Sequence, residues 1–457
     1  ACAALCTFAE FAASDHVAAR QALTEVALAD GRHITLPNGV LTIDGARMGP
    51  AGVPHDAPAL ATGNETLARP FEGLKVLDLG VIVVGAEAGR MFADGGADVV
   101  KVESAAFPDG SRQSYLPYGL SASFAAGHRN KRSLGLDLKQ EAGRALFLDL
   151  VRQADVLLSN FKPGTMDALG LGADVLAAAN PRLVMANSSA FGPTGPWARR
   201  LGYGPLVRAA TGLTGMWRYA DDPDSYSDAV TVYPDHVAGR ISALGATALL
   251  IRRLRTGRGG SASVSQAEVM LGQFAELLTA EEAPQSVGRS IVVRALGDDE
   301  WCAVTLPDMP SPRLDTLLKG ASIEEWSVIR SPMETARSLQ AIGIAAAPML
   351  RVADLPDFAY CRERASFRVD RHPHLSEPVT SERNAAQYRD LPAPRGDPAP
   401  LVGEHTREVI DTWIDLNSGQ VASLEDAGIL QPTSPAIYST IKTLLRADTA
   451  SADRATS

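Results

Sequence analysis

Asp155-Val156-Leu157-Leu158-Ser159-Asn160-Phe161-Lys162-Pro163-Gly164 reads as a short apolar strand that runs out into a loop carrying an amide, a ring, a cation and two helix breakers. Before it, Gln140 to Arg152 is an amphipathic helix with Ala145, Leu146, Leu148, Leu150 and Val151 on or near one face. After it come a short amphipathic segment to Ala179, the turn Asn180-Pro181-Arg182 and a second apolar run from Leu183 to Ala186. Strands that alternate with helices in this way belong to a parallel sheet. The loop Asn160 to Gly164 therefore falls at a carboxyl edge, where open parallel sheets bind ligands. Asn160 begins that loop, Lys162 can reach a phosphate, Phe161 can cover a ring, and Gly164 closes the turn.

Upstream, Leu74 to Leu79 stops at Gly80 as a buried strand would, Val81 to Gly85 turns into a helix near Glu87 to Gly95, and Ala97 to Glu103 is a second strand. Glycines at 80, 85 and 89 do not form the Gly-x-Gly-x-x-Gly fingerprint, although Glu103 ends the second strand as an acid. A nicotinamide oxidoreductase thus lacks its signature. Arg129-Asn130-Lys131-Arg132 reads as a basic loop before a short strand at Leu136 to Leu138. Clustered cations of this kind suit a pyrophosphate or a 3'-phosphate, and a solvated basic loop is the alternative. Glu87, at a helix start, suits the helix dipole.

The chain has 457 residues, 46% of them hydrophobic, which is enough for two compact domains. A net charge of -10 argues against a nucleic-acid groove, and no apolar run is long enough to span a membrane. Cys2, Cys6, Cys302 and Cys361 lack metal spacing and a histidine cluster, so no metal site is expected and idle thiols in a reducing, cytoplasmic setting fit.

Further on, Tyr233-Pro234-Asp235-His236 leads into a long helix from Val237 to Leu254, ended by a glycine run at 257 to 260. Asp235 reads either as the cap of that helix or as a working carboxylate. Ser261 to Ser265 is a strand, Gln266 to Glu281 a helix and Glu282 to Arg289 a linker. Ile291 to Arg294 and Trp301 to Leu306 form a hairpin that opens a smaller domain. Leu339 to Ile344 and Ala345 to Leu350 are its helix and strand. Asp370 to Pro400 is a loop-rich strap, Thr406 to Leu416 a returning helix, and the polar stretch after about 436 is expected to fray.

Several of these pieces together carry a resemblance: Asn160-Phe161-Lys162-Pro163-Gly164, Leu169-Gly170-Leu171-Gly172, Asn180-Pro181-Arg182-Leu183-Val184 and Phe191-Gly192-Pro193-Thr194-Gly195-Pro196, followed by Gly202-Tyr203-Gly204. The set resembles the family III CoA-transferases, the CaiB/BaiF family, over residues 74 to 430. The resemblance implies an α/β fold with a Rossmann-like open parallel sheet, a second, smaller α+β domain, and two subunits threaded like linked rings. It implies acyl-CoA as substrate, a carboxylic acid acceptor and no permanently bound cofactor, with Ile82 to Gly85 facing the thioester arm and Asn130, Lys131 and Arg132 near the phosphates. The family's nucleophilic aspartate is the third residue of the Gly-Tyr-x triplet, which here is Gly204, and Ser104 stands where a basic residue is common. The racemase branch's histidine would fall near Ala177, so that branch loses both its groups. Asp235 is then the candidate carboxylate, the alternatives being a CoA-binding or structural partner module without chemistry, or thioester hydrolysis by bound water.

The chain's ending is also echoed at its beginning. Ala18-Ala19-Arg20 and, some forty residues later, Ala57-Pro58-Ala59-Leu60 through Thr66 correspond to Cys361-Arg362 and Ala399-Pro400-Leu401 through Thr406. The expected organisation is a tail of a preceding transferase module at 1–70, a CoA-binding large domain at 74–285, a small domain and strap at 290–400 and a C-terminal return at 401–435. A homodimer, or an intramolecular pair with the preceding module, follows as the expected assembly.

Overall fold

A computed structural model describes residues 3–50, 68–112, 119–218, 222, 224–226, 232–279, 288–383, 386 and 388–455. The chain divides into two compact units, one made of 1–279, 369–381 and 386–457, the other of 280–368 and 382–385.

The larger unit is built on an eight-stranded sheet. Its six parallel strands are β1 (Lys75–Asp78), β2 (Asp98–Glu103), β3 (Lys131–Gly135), β4 (Val156–Ser159), β5 (Val184–Ser189) and β6 (Gly260–Ser265), in the order β6-β5-β4-β1-β2-β3. Leu41–Ile43 adds antiparallel to β6, and Ala46–Arg47 antiparallel to Leu41–Ile43. The order reverses direction between β1 and β4, which makes the carboxyl ends of those two strands the switch point of a doubly wound sheet.

The alternation of side chains along each strand sorts the core into two layers. Val76, Val99, Val156 and Val184 stand in one row across the sheet and face one cluster, while Leu77, Val100, Leu157 and Met185 one residue on face the other. The first layer is closed by helices α1 (Ile82–Asp94) and α5 (Tyr233–Thr256), the second by α3 (Glu141–Gln153) and α7 (Thr406–Trp413). The remaining helices of this unit used below are α2 (Ala122–His128), α4 (Gly204–Thr211) and α6 (Gln266–Gln273). Each fully buried valine or leucine of these rows contributes about 1.5–3 kcal/mol of transfer free energy, so one row of four outweighs any surface ion pair. Gly257, at φ 70°, ends α5 as a left-handed cap.

Three expectations about element boundaries are corrected. The basic run is not a loop before a strand at Leu136: Lys131 opens β3, which ends at Gly135. The helix expected to reach Glu281 stops at Gln273, with a short second helix at Glu276–Thr279. The stretch after 436 is a helix, Pro435–Ala455. Residues 3–50 are packed into the larger unit, with Phe8, Phe11 and Val17 sharing a core with Phe191, Val207, Leu213 and Met270. The echo residues Ala57 to Thr66 and residues 282–287 of the linker lie outside the described residues.

The smaller unit holds an antiparallel hairpin, Arg289–Arg294 with Trp301–Leu306, to which Ala345–Pro348 adds. Val293, Cys302, Val304, Trp326, Ala336 and Leu339 form its core with the helix Pro332–Ala341.

Candidate functional site

At the switch point the chain leaves β1 through Leu79, Gly80 and Val81 and enters α1 at Ile82. Ile82 has φ 55°, a conformation that a β-branched residue adopts only when its surroundings impose it. Those surroundings are visible. The Ile82 N–H donates to the Asp109 carboxylate at 3.0 and 3.2 Å. The Asn160 side chain, immediately after β4, accepts from the Val81 N–H at 2.7 Å and donates to the Val81 carbonyl at 2.8 Å. A methyl on Gly85 would lie 2.3 Å from the Gly80 carbonyl carbon, and one on Gly89 would lie 2.4 Å from Asp78 Oδ2. The glycines at 80, 85 and 89 therefore serve close approach within the turn and over a buried ion pair, not a phosphate loop.

Beneath this turn lies a chain of buried charges. Lys101 Nζ stands 2.8 Å from Asp109 Oδ2 and donates to the Gly80 carbonyl at 2.7 Å. Lys131 Nζ stands 2.9 Å from Asp78 Oδ2 and 3.1 Å from His128 Nδ1. Arg112 holds Glu103 at 2.6 Å. Burial opposes every one of these charges. For Lys101 the carboxylates of Asp109, Asp78 and Glu103 outweigh it and hold the lysine above its usual range, and Asp109 is held below its own, chiefly by Lys101. For Lys131 burial wins and its pKa falls. His128 is pushed well below the usual histidine range by burial and by Lys131, and is neutral.

Above the network is a cavity of about 340 Å³ lined by Val81, Ile82, Lys101, Glu103, Phe107, Asp109 and Phe161, among others. Its size is at the small end for ligand pockets, enough for one arm of an extended ligand. The N-terminus of α1, the position where a doubly wound fold usually seats a phosphate, already has its first N–H bound to Asp109. A further anion is disfavoured there, and an uncharged group fits.

The sequence candidates separate into two groups. Ile82 and Phe161 line the cavity, and Asn160 fixes its rim. Lys162 and Gly164 are exposed beside Phe161, Gly164 at φ 86°, and Lys162 forms no ion pair among the described residues. Asn130, Lys131 and Arg132 are elsewhere and committed. Asn130 accepts from the N–H groups of Gly396 and Asp397, both at 2.7 Å, and donates to Asp94. Lys131 is buried as described, and Arg132 holds Asp98 at 2.5 Å and Glu408 at 3.1 Å. Glu87 is buried among Arg90, Arg240 and His236. Burial would raise its carboxyl, but His236, Arg90 and Arg240 outweigh that and bring it to about 2. Sequence reading passed over Lys101, Phe107, Asp109 and Arg112; the signal available was the Pro108-Asp109-Gly110 turn just beyond β2.

Gly204 opens α4, and Asp235 lies in the first turn of α5. The capping role open to Asp235 is not what it does: Val232 is the N-cap, with no side-chain cap bond. The Asp235 carboxyl instead points at Gly204. A methyl on Gly204 would fall 2.2 Å from Asp235 Oδ2, so that oxygen fills the volume a side chain at 204 would need. Asp235 Oδ1 accepts from Gln266 at 3.4 Å, and Oδ2 accepts no hydrogen bond among the described residues. Burial pushes this carboxyl up to about 6, against the opposing charges of His236 and Arg208. Asp235 is not among the residues lining the cavity.

Residues 71–296 match CoA-transferase family III. They belong to that family. The chain is 38% identical to "Probable CoA-transferase Rv1866" of Mycobacterium tuberculosis over 470 residues, covering 92% of this chain and 59% of the relative. It is 39% identical over 198 residues to the acetyl-CoA:oxalate CoA-transferase of Acetobacter aceti, covering 43% of this chain and 50% of the relative. The match thus spans 59% of the first relative's length and half of the second's. Among solved structures, a CaiB/BaiF family protein from Brucella suis superposes with a TM-score of 0.64 at 26% identity, over 76% of this chain and 99% of that one. No helix among the described residues is long and apolar enough to cross a membrane.

Proposed function

We propose that this family III chain binds an acyl-CoA with its thioester arm in the cavity at the switch point and its phosphates toward Lys162, and moves CoA between carboxylic acids. Asp235 supplies the carboxylate that position 204 lacks. The observation that carries this reading is the placement of Asp235 Oδ2, 2.2 Å from where the first side-chain atom of residue 204 would stand. Deleting the side chain at 204 and filling the space from a neighbouring helix keeps an acid in one place with a different tether.

The chemistry is a two-stage covalent exchange. The ionised Asp235 oxygen attacks the thioester carbonyl, the C–S bond breaks, and CoA leaves as a thiolate with the acyl group held as a mixed anhydride. The thiolate then attacks the Asp235 carbonyl carbon, which releases the donor acid as a carboxylate and leaves CoA as an enzyme thioester. The acceptor carboxylate reverses the two steps. With its pKa near 6, Asp235 is largely ionised at pH 7 and more basic than an exposed aspartate, hence a better nucleophile.

The test is incubation with an acyl-CoA followed by hydroxylamine and peptide mass spectrometry. A hydroxamate on Asp235, lost in Asp235→Asn, is expected, with turnover rising as pH passes through about 6. A trapped adduct on another residue, or none while CoA binds, overturns the assignment of Asp235. The second reading, a CoA-binding or structural partner without its own covalent step, is favoured by one observation: the cavity wall does not include Asp235. The Gly204→Asp substitution separates the two. It forces a second carboxyl against the first, so by itself it is expected to destabilise rather than activate, and Gly204→Asp combined with Asp235→Gly is the variant expected to restore a family-type nucleophile.

A further inference from the structure

Three helices of the larger unit begin at one carboxyl group. α4 starts at Gly204, α5 carries Asp235 in its first turn, and α6 starts at Gln266, immediately after the carboxyl end of β6 and packed against both of the others. A methyl on Gly204 would fall 2.2 Å from Asp235 Oδ2, and Gln266 Nε2 donates to Asp235 Oδ1 at 3.4 Å. The two oxygens of one carboxyl are thereby told apart. Oδ1 faces an amide donor, whereas Oδ2 faces the open side of Gly204 and accepts no hydrogen bond among the described residues. A helix start carries partial positive charge, so the three together favour negative charge at this point, while burial opposes it.

Gln266 is not explained by its place in the helix. Ser265 already caps α6, its Oγ accepting from the Glu268 N–H at 3.4 Å. Gln266 is 5% exposed, and its Oε1 is buried with no hydrogen-bond partner among the described residues. A buried amide with one end unbonded costs free energy, and an apolar side chain of the same size would fill this space without that cost. The orientation of the amide follows from its neighbour, because the opposite one would set Oε1 against a second acceptor, Asp235 Oδ1. Bonded to Asp235 at one end and unpinned at the other, the amide can follow Oδ1 when that atom moves.

We infer that Gln266 is a catalytic hydrogen-bond donor of the covalent exchange: its Nε2–H holds the oxyanion that forms on Asp235 Oδ1 when the side-chain carbonyl of Asp235 is itself attacked. The inference rests on Asp235 being the nucleophile. In the first step Oδ2 attacks the thioester, and charge develops on the substrate's acyl oxygen, not on Oδ1. In the second the CoA thiolate adds to Asp235 Cγ, a C–S bond forms, and the electron pair of the Cγ=Oδ1 double bond moves onto Oδ1. When that pair returns, the Cγ–Oδ2 bond breaks and the donor acid leaves as a carboxylate carrying Oδ2. The acceptor carboxylate later adds to the same carbon and raises the same oxyanion before the CoA thiolate leaves. Both additions at Cγ thus develop charge beside Gln266, and neither attack on an acyl carbon does. A contact of 3.4 Å is long for a hydrogen bond. It shortens as Oδ1 gains charge, and an interaction stronger in the transition state than before it is what speeds a step.

The test mixes an acyl-CoA with the wild-type protein and with Gln266→Met, above the Asp235 pKa of about 6, and follows the adducts by acid quench and intact-protein mass spectrometry. The wild type is expected to gain the mass of CoA, located on Asp235 by peptide sequencing. Gln266→Met is expected to gain the acyl mass at the wild-type rate, and then the CoA mass about a hundredfold to a thousandfold more slowly, the usual loss for one oxyanion donor. A side chain needed only for packing would slow both adducts alike, so that result, or CoA transfer at the wild-type rate, overturns the inference. If Gln266→Met does not fold, the wild type decides through carbon-13 at the aspartate carboxyls. The infrared carbonyl stretch of the enzyme thioester is expected at or below its frequency in water, and a frequency matching an apolar solvent overturns the inference. A CoA adduct on another residue, or none in the wild type, removes Asp235 and Gln266 together. An adduct on Asp235 with unslowed transfer in Gln266→Met removes Gln266 alone.

Discussion

Arg129-Asn130-Lys131-Arg132 and Asn160-Phe161-Lys162-Pro163-Gly164 both set cations beside a turn, and the fold uses them in opposite ways. The first enters the edge strand β3, where the Lys131 ammonium is fully buried against Asp78 and Arg129 and Arg132 hold Asp94 and Asp98. The second follows the carboxyl end of β4 at the switch point, with Phe161 on the cavity wall and Lys162 in solvent. A phosphate arriving at the first run must displace a carboxylate in a low-dielectric interior; at the second it displaces water. Charge density along the sequence therefore does not locate an anion site. What locates it is whether the chain's own acids have taken the cations first.

The largest expected effect breaks the first run. Lys131→Met leaves Asp78 buried without its partner and is expected to cost about 3–5 kcal/mol in urea unfolding, with the folded fraction still binding CoA. Full stability with lost CoA affinity would reverse the comparison. Next is Asp235→Asn. The folded state holds the Asp235 proton to about pH 6, whereas an ordinary aspartate releases it near 3.8. Stability is thus lost as pH rises from 3.8 to 6, and the full penalty applies above 6. The amide removes that penalty, so the variant is expected to be more stable by about 3 kcal/mol at pH 8 and no different near pH 3, measured by unfolding at both pH values. Equal stability at pH 8 would mean the carboxyl is not desolvated. The smallest effect sharpens the second run: Lys162→Ala is expected to weaken CoA binding about fivefold to tenfold, roughly 1 kcal/mol, by calorimetry at low salt, with unfolding unchanged. An unaltered Kd would remove Lys162 from the site.

Much of the fold was legible because strand and helix periods are local. The strand from Val156, the helix after Gln140 and the glycine stop at 257 all stand where their patterns put them. The errors share a cause. Lys131-Arg132 is charged and reads as loop, yet it opens the edge strand β3 because Asp78 on β1 and Asp98 on β2 neutralise it. Asp235 was open between cap and carboxylate because a helix start offers both, and only the approach of α4 aimed it at Gly204.

The order of apolar runs, the breakers between them and the family motifs in sequence determined the sheet, its direction and the loop at its edge, since backbone preference and burial act over neighbouring residues. Which cations are spent and which carboxylate fills the space left by Gly204 were decided only in the tertiary structure. Each depends on groups that stand tens to hundreds of residues apart in the chain and a few ångströms apart in space, where desolvation makes a charge either costly or paired.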